Sequence, residues 1–166
     1  MRGGGTALRG SAAGATARAP MSHFEGTVHV DATPAQVFAL WADSPGWAAW
    51  DPDVKAATID GPFVAGATGS ITPVQGPTMP IRVTRVVADR AFDAEARLPL
   101  CTMRFVHECE PAPGGGTRVV HRVHFDGPLA FVFRRVIGPS LVKGIPGTMA
   151  GLKRAVEQRA TAVRDV

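Results

Sequence analysis

FVHECEPAPGGGTRVVHRVHF, residues 105–125, holds two alternating runs separated by a turn rich in proline and glycine. Alternation with a period of two predicts two antiparallel strands, each with one face toward the core. Taking residues 112–116 as the loop sets the register, because loop length determines which residues face each other across a hairpin. The stretch also carries three of the five histidines of the chain, and the register decides which of them lie inside.

In this register His107 lies opposite His121 on the apolar face, whereas His124 falls on the opposite, charge-rich face. A slip of one residue would bury four charges, which supports the register and places His124 and His29 at the surface. The other inner pairs are Cys109 with Val119, Phe105 with Val123, and Met103 with Phe125.

Directly opposed side chains have Cβ atoms roughly 5 Å apart, so the rings of His107 and His121 are predicted to be neighbours. Mutual repulsion and burial both disfavour the charged forms, and at least one ring is expected to be neutral at pH 7. The pair then has four possible roles: polar groups bonded to each other, to water or to backbone; ligand contacts; an acid/base pair; or metal ligands together with Cys109. No carboxylate partner or standard ligand spacing accompanies them, so we predict no metal and no cofactor.

The rest of the chain extends this pattern. Residues 23–31 alternate as a strand, Thr33 to Gln36 form a capping box with proline at the first helical position, and a short second helix ends near Pro52. Apolar residues at helical spacing near the C-terminus predict a last helix, broken or in two parts where proline and glycine interrupt it. Six further strands are predicted at 54–60, 67–75, 79–88, 91–98, 101–110 and 117–126. The apolar stripe of the last helix is Ile145, Met149, Leu152, Val156 and Val163.

This order predicts an α+β domain in which a curved seven-stranded antiparallel sheet wraps around a long helix and leaves a cavity between them. With 166 residues, 45% of them hydrophobic, the chain is long enough for one such domain. We assign residues 22–163 to it and residues 1–21 to a disordered extension, with Met21 as a possible translation start.

Charge excludes one class of partner. The net charge is +4, but the first twenty residues hold three arginines and no acid, which leaves 15 basic and 14 acidic residues, a net +1, for the domain. A nearly neutral domain is not expected to bind nucleic acid. No apolar run is long enough for a membrane span. Cys101 and Cys109 are eight residues apart in one strand and cannot bond to each other, so a cytoplasmic location is predicted.

Arg85 is a further site candidate. A turn at Asp89-Arg90 would pair Arg85 with Ala94 and place the guanidinium on the apolar face. A buried guanidinium needs an anion, for which a ligand carboxylate or enolate is one candidate. The alternatives are that the side chain extends out at the cavity mouth or that a bulge shifts the register.

The predicted inner face supplies the other candidate ligand contacts, because apolar side chains with a few polar groups are the usual lining of small-molecule sites. They are Trp47, Trp50, Val83, Met103, Phe105, Cys109, Val123, Phe125 and Met149.

Four motifs in order resemble the START-like superfamily, also called SRPBCC. They are PAQVF at 34–38, WDPDV at 50–54, GGTRV at 115–119 and LKRAVE at 152–157, and the resemblance spans residues 22–160. It implies the helix-grip (Bet v 1-like) fold and a monomer or homodimer that binds a polyketide- or lipid-like molecule. It also implies three possible activities: cyclisation or dehydration with His107, His121 and Arg85 as catalytic residues, ligand carriage without catalysis, or co-chaperone-like protein interaction. The fold alone does not choose among them.

Overall fold

The computed structural model describes residues 23–164. The predicted disordered extension at 1–21 and the alternative start at Met21 lie outside the described residues. Seven strands and two α-helices follow in the predicted order, with a short 3-10 helix after the first α-helix. They are β1 (His23–Val30), α1 (Pro34–Ala42), the 3-10 helix (Ser44–Ala49), β2 (Val54–Ile59), β3 (Thr68–Pro73), β4 (Met79–Val87), β5 (Ala91–Leu98), β6 (Cys101–Pro111), β7 (Thr117–Asp126) and α2 (Ala130–Arg164).

The strands form one antiparallel sheet in the order β1-β7-β6-β5-β4-β3-β2. Every neighbour is also a sequence neighbour except β1, which crosses to pair with β7. The register of the β6–β7 hairpin is the predicted one, with His107 opposite His121 and Glu110 opposite Arg118. One face of the sheet is therefore apolar and packs on the helices, while the other carries the charges.

Helix α1 begins where the capping box predicts. The Thr33 hydroxyl accepts a hydrogen bond from the Gln36 backbone N–H, and the Gln36 side chain accepts one from the Thr33 N–H. These reciprocal bonds satisfy backbone groups that a helix start leaves without partners. The helix buries Val37, Leu40 and Trp41 against the inner face of the sheet, and this places an indole beside the histidine pair.

Helix α2 is a single helix of 35 residues, and the prediction of a broken or two-part helix was wrong. Pro139 and Pro146 lie inside it, and both are exposed. A proline removes one backbone hydrogen bond and frees a carbonyl one turn earlier. On the solvent side, water can satisfy that carbonyl. Packing of Ile145, Met149, Leu152 and Val156, all buried, then stabilises the helix across the interruption.

A buried threonine joins the two ends of the β1–α1 connection to the sheet. The Thr117 hydroxyl donates a 2.6 Å hydrogen bond to the carbonyl of Ala32, and the Thr117 side chain is fully buried. Thr117→Val should lower the free energy of unfolding by about 1–2 kcal/mol, because the Ala32 carbonyl would stay buried without its donor. Urea unfolding followed by circular dichroism measures this. Thr58→Val, at an exposed strand hydroxyl, is the control and should change stability by less than about 0.5 kcal/mol.

Candidate functional site

The two inner histidines lie side by side across β6 and β7. Their ring centroids are 4.4 Å apart and the ring planes are inclined by 61°. They meet because both occupy inward positions of paired strands at the same level of the hairpin. The residue opposite His121 on β1 is Gly26, and the space that a side chain would fill there is taken by Ile145 and Met149 of α2.

Aromatic rings from two other elements enclose His107. Phe92 of β5 is its cross-strand partner and stacks on it, with centroids 4.0 Å apart and planes inclined by only 5°. Trp41 of α1 approaches edge-on at 5.7 Å. The Trp47 indole N–H in turn donates a 2.9 Å hydrogen bond to the Trp41 carbonyl, so the 3-10 helix holds the end of α1 in place.

The enclosure continues as a contiguous aromatic cluster on the inner face. Phe63, in the loop after β2, contacts both Phe92 and Phe38 of α1, with centroids 5.1 and 6.0 Å apart. Phe105 lies on the other side of the pair, 6.5 Å from the ring of His121. We call these rings, with Trp41, Trp47 and the two histidines, the aromatic cluster. Such a surface suits flat, ring-bearing molecules, because aromatic rings gain from stacked and edge-on contacts.

Burial makes both histidines neutral at physiological pH. Desolvation lowers the pKa of His121 from 6.5 to about 4. The pKa of His107 lies well below 6.5, mainly through desolvation and then through the neighbouring His121. Both residues are half-buried and keep some accessible surface. The protein atoms around each ring are nevertheless dense enough that desolvation is the main cause of the lowered pKa. The pair therefore places uncharged donors and acceptors on the inner face of the sheet.

Polar ring atoms in this region lack partners. The Nδ1 atom of His107 is buried and has no partner at hydrogen-bond geometry within the described residues, although the Phe92 backbone interacts with the ring and opposes the larger effect of burial on its pKa. The indole nitrogens of Trp41 and Trp50 also have no partner there. A buried polar atom without a partner costs about 1–3 kcal/mol. A hydroxyl or carbonyl group bound beside His107 would recover this free energy.

Arg85 lies outside this site: of the alternatives for it, the inner-face position is wrong and the shifted register is the one in the structure. A bulge between Val83 and Arg85 shifts the β4–β5 register, so that Arg85 pairs with Asp93 rather than Ala94. Its guanidinium contacts the Asp93 carboxylate through two 3.0 Å hydrogen bonds and reaches Glu108 at 3.4 Å. Arg85 is therefore part of an ion-pair network on the outer face and cannot stabilise an enolate at the histidine pair.

That network crosses the outer face of the sheet. Glu108 also contacts Arg122 at 2.6 Å, and Arg122 contacts Glu25 at 2.6 Å. These contacts lower the pKa of Glu108 and of Glu25, in each case chiefly through the hydrogen bond from Arg122. The alternation of charged outer residues with apolar inner ones is the reason why a one-residue bulge was enough to move Arg85 from one face to the other.

The candidate ligand contacts divide into two groups. Trp50 and Phe105 are half-buried and keep surface on the inner side. The others are packed into the core with little or no accessible surface. They are Trp47, Val83, Met103, Cys109, Val123, Phe125 and Met149.

Cys109 does not join the histidines as a metal ligand. Its thiol contacts the carbonyl oxygens of Asp89 and Pro34 at 3.5 and 3.8 Å. Burial raises its pKa to about 11, so the thiol is protonated at pH 7. Within residues 23–162 no three His, Cys, Asp or Glu side chains are grouped closely enough to hold a metal ion.

Phe38, Phe63 and Phe92 belong to the site although the sequence pattern did not indicate them. A signal for Phe92 was present, because the two-residue turn Pro99-Leu100 sets the β5–β6 register and places Phe92 opposite His107. Phe63 lies in a loop, and no periodicity links a loop residue to a distant strand.

Half-buried apolar side chains mark where the interior approaches solvent. Helix α2 packs mainly across β1 and β7, and it leaves the inner faces of the strands toward β2 less covered. The half-buried residues there and on α2 include Ile59, Ile71, Met79, Phe133, Ile137 and Leu141. Two surface clefts of the described residues lie elsewhere. One of about 550 Å³ is near Arg154 on α2, and one of about 300 Å³ is on the outer face near Arg90.

The segment Trp50–Asp53 is seated directly on α2. An added Cβ at Gly151 would overlap the Trp50 carbonyl, one at Gly144 would overlap the Asp53 carboxylate, and one at Gly147 would lie 3.2 Å from Pro52. The hydroxyl of Thr148 also donates a 2.9 Å hydrogen bond to Asp51, whose pKa is raised by burial. The helix glycines that suggested a break therefore form a seat for this segment, which holds Trp50 beside the interior.

A curved antiparallel sheet that grips one long C-terminal helix defines the helix-grip (Bet v 1-like) class of proteins, and this chain has that architecture. The sequence model of the family described as polyketide cyclase / dehydrase and lipid transport matches residues 21–157. The chain belongs to that family, within the SRPBCC superfamily. No curated protein sequence matches the chain at a significant level.

Solved structures share the fold at low identity. The di-domain ARO/CYC StfQ from the steffimycin biosynthetic pathway is 13% identical over 84% of this chain, with a TM-score of 0.68, and this chain spans about half of that protein, 52%. The protein TTHA0849 from Thermus thermophilus is 14% identical, covering 81% of this chain and 96% of that one, with a TM-score of 0.65. A norcoclaurine synthase point mutant from Thalictrum flavum in complex with a transition state analogue is 11% identical, covering 83% and 95%, with a TM-score of 0.64. None of the helices in the described part of the chain is long and apolar enough to cross a membrane.

Proposed function

We propose that this protein binds a hydrophobic, ring-bearing small molecule between the sheet and α2, with His107 and His121 hydrogen-bonding a hydroxyl or carbonyl of the ligand. The observation that carries the proposal is the unpartnered Nδ1 of His107 inside the aromatic cluster. An apolar interior with a few polar groups is the usual composition of a small-molecule site. The family includes polyketide cyclases and lipid transporters, which is consistent with a ligand of this kind.

The electrostatics favour binding over proton transfer. A base is most effective when its pKa is near the working pH, whereas burial lowers the pKa of His121 to about 4 and that of His107 well below 6.5. A proton taken up by either ring would place a charge beside the other ring in an apolar space. We therefore assign both histidines to ligand orientation and favour a carrier that binds without conversion.

The cyclase or dehydratase alternative keeps one supporting argument. A neutral imidazole can donate a hydrogen bond to a carbonyl and polarise it without itself accepting a proton. In that case the protein would convert a bound polyketide, and mass spectrometry of the co-purified and incubated ligand would detect the product. A carrier returns the bound molecule unchanged and in stoichiometric amount.

A matched pair of probes tests the binding site. 2-Naphthol and 2-methylnaphthalene have nearly the same shape, but only the former has a hydroxyl group. Equilibrium dialysis should give a Kd for 2-naphthol about tenfold lower than for the methyl compound, because a hydrogen bond to a buried unpartnered atom contributes about 1–2 kcal/mol. His107→Phe should abolish the difference and still bind both probes.

His124→Gln is the control, because His124 lies on the outer face opposite Arg104. It should retain the preference for 2-naphthol. Equal affinities of the unaltered protein for the two probes, or no binding of either, would contradict the proposed site.

A further inference from the structure

The first half of α2 and the adjoining β5–β6 turn expose an unusual amount of apolar surface. The exposed fraction is 71% for Phe131, 69% for Leu100 and 69% for Val136. It is 63% for Val142 and 38% for Val132. The turn and the helix start adjoin, because the Leu129 N–H donates to the Leu100 carbonyl at 3.2 Å. We call these five side chains the apolar strip. Contiguous exposed apolar surface of this kind marks an interaction site.

Basic side chains share the strip's face of the helix. At about 100° per residue, Phe131, Arg135 and Val142 fall within an arc of about 40°. By the same count, Lys143 lies within about 20° of Val132 and of Val136 around the helix axis. Arg135 and Lys143 are exposed, and neither makes an ion pair within the described residues. A helix face that mixes aromatic, aliphatic and basic side chains is typical of proteins that lie on a membrane surface.

The first half of α2 itself carries charge of one sign, and the Asp53 carboxylate that packs against it lies at Gly144, about 100° around the helix from Lys143. From Gly127 to Val156 the chain contains five lysines and arginines and no aspartate or glutamate. The nearest preceding acid, Asp126, is paired with Arg104 at 2.9 Å. A partner for this face therefore carries negative charge, since Arg and Lys side chains approach anions favourably and repel cations.

Two other occupants fit this charge poorly. A second copy meeting the same face in a symmetric dimer would set Arg135 and Lys143 against their own counterparts. Residues 1–22 precede β1, and only their composition bears on this question. That segment contains three arginines, no acid and one leucine as its only large aliphatic residue besides methionine, so it is neither acidic nor apolar enough to cover the strip.

We propose that the apolar strip docks this protein on membranes that contain anionic lipid. Phe131 and Leu100 enter the boundary between headgroups and acyl chains, while Arg135 and Lys143 contact lipid phosphates. The strip runs along the outer side of a helix and continues onto a turn, and such a projecting surface fits a bilayer, whereas a partner helix would need a groove. This inference does not depend on the proposed internal ligand.

Vesicle flotation tests it with the full chain and no added ligand. Vesicles of pure phosphatidylcholine are compared with vesicles of phosphatidylcholine and phosphatidylglycerol at 70:30, in low salt and at 0.15 M salt. The protein should float with the anionic vesicles only, and less so at the higher salt because screening weakens the attraction. The double variants Phe131→Ser/Leu100→Ser and Arg135→Glu/Lys143→Glu should each reduce the bound fraction about tenfold.

The matched control is Arg90→Glu/Arg154→Glu, which makes the same change in net charge. Arg90 is in the β4–β5 turn, just before β5 begins, whereas Leu100 follows the other end of that strand. Arg154 is in the second half of α2. This variant should float as the unaltered protein does. A second full-length variant, with Arg2, Arg9 and Arg18 replaced by serine, should also still bind.

Three results would overturn the proposal. The first is no binding to anionic vesicles. The second is an equal loss in the control variant, or a loss confined to the N-terminal arginine variant, since either would place the binding outside the strip. The third is that the protein does not bind vesicles but dimerises with increasing concentration, and that Phe131→Ser/Leu100→Ser removes the dimer. That result would identify the strip as a contact between copies.

Discussion

Gly151→Ala is expected to lower the free energy of unfolding by about 3 kcal/mol, although the same change inside an ordinary helix stabilises by up to about 1 kcal/mol. The reason is that residues Trp50–Asp53 pack directly on α2. An alanine Cβ at Gly151 would overlap the Trp50 carbonyl oxygen, and a backbone atom cannot rotate away as a side chain can. The segment or the helix must move, and such overpacking typically costs about 1–3 kcal/mol or more.

Urea unfolding, followed by far-ultraviolet circular dichroism, measures this change. Gly144→Ala is the matched control in the same helix, because the atom that its Cβ meets is the end of the Asp53 side chain, which can adopt another rotamer. We expect that variant to stay within about 1 kcal/mol of the unaltered protein. Stabilisation by Gly151→Ala would show that the segment does not rest on α2.

Stability should fall steeply as the pH is lowered from 6.5 toward 4. The folded protein holds His121 with a pKa of about 4, against an ordinary value of 6.5, so between these values the unfolded chain binds more protons. The free energy of unfolding therefore rises with pH across this window and is lost on acidification. For His121 alone, the loss between pH 7 and pH 4 is roughly 3 kcal/mol. His107 adds to it in the same direction.

The window separates the histidines from the ion-paired glutamates, whereas Asp51, whose pKa burial raises, acts in the opposite direction. The pKa values of Glu25, Glu108 and Glu157 are lowered from 4.5, so the stability they contribute is lost only below about pH 4.5. Unfolding midpoints measured from pH 7 to pH 4.5 should show a slope that His121→Gln reduces and that His29→Gln, at an exposed position, leaves unchanged. A slope that His121→Gln does not change would contradict the deep burial of the pair.

The hairpin shows what a sequence can determine about a site. The turn between β6 and β7 and the alternation of charged and apolar residues were sufficient to place His107 opposite His121 on the inner face, and the structure confirms this pairing. The reason is that strand register has a period of two and that a slip would bury charge. The same counting across Pro99-Leu100 would have placed Phe92 on His107.

Arg85 shows where that reasoning fails. A bulge in β4 inserts one residue, and every position on one side of it changes face relative to a regular ladder. None of the residue types near Thr84 indicates a bulge. The carboxylates of Asp93 and Glu108, on two other strands, bind the guanidinium once it is outside, and these contacts exist only after the sheet has formed.

The sequence by itself determined the order of the elements, the inward faces of β1, β6 and β7 and the family resemblance, because these follow from local periodicity, capping and turn chemistry. Only the tertiary structure decided that Phe38 and Phe63 join the aromatic cluster, that Arg85 faces outward, and that α2 is continuous. The glycines of α2 make the difference clear. Read locally they weaken a helix, but at Gly151 a larger residue would overlap the Trp50 carbonyl, so glycine there lets Trp50–Asp53 pack on the helix. Local propensity depends on neighbouring residues, whereas close packing depends on which distant backbone lies on the other side.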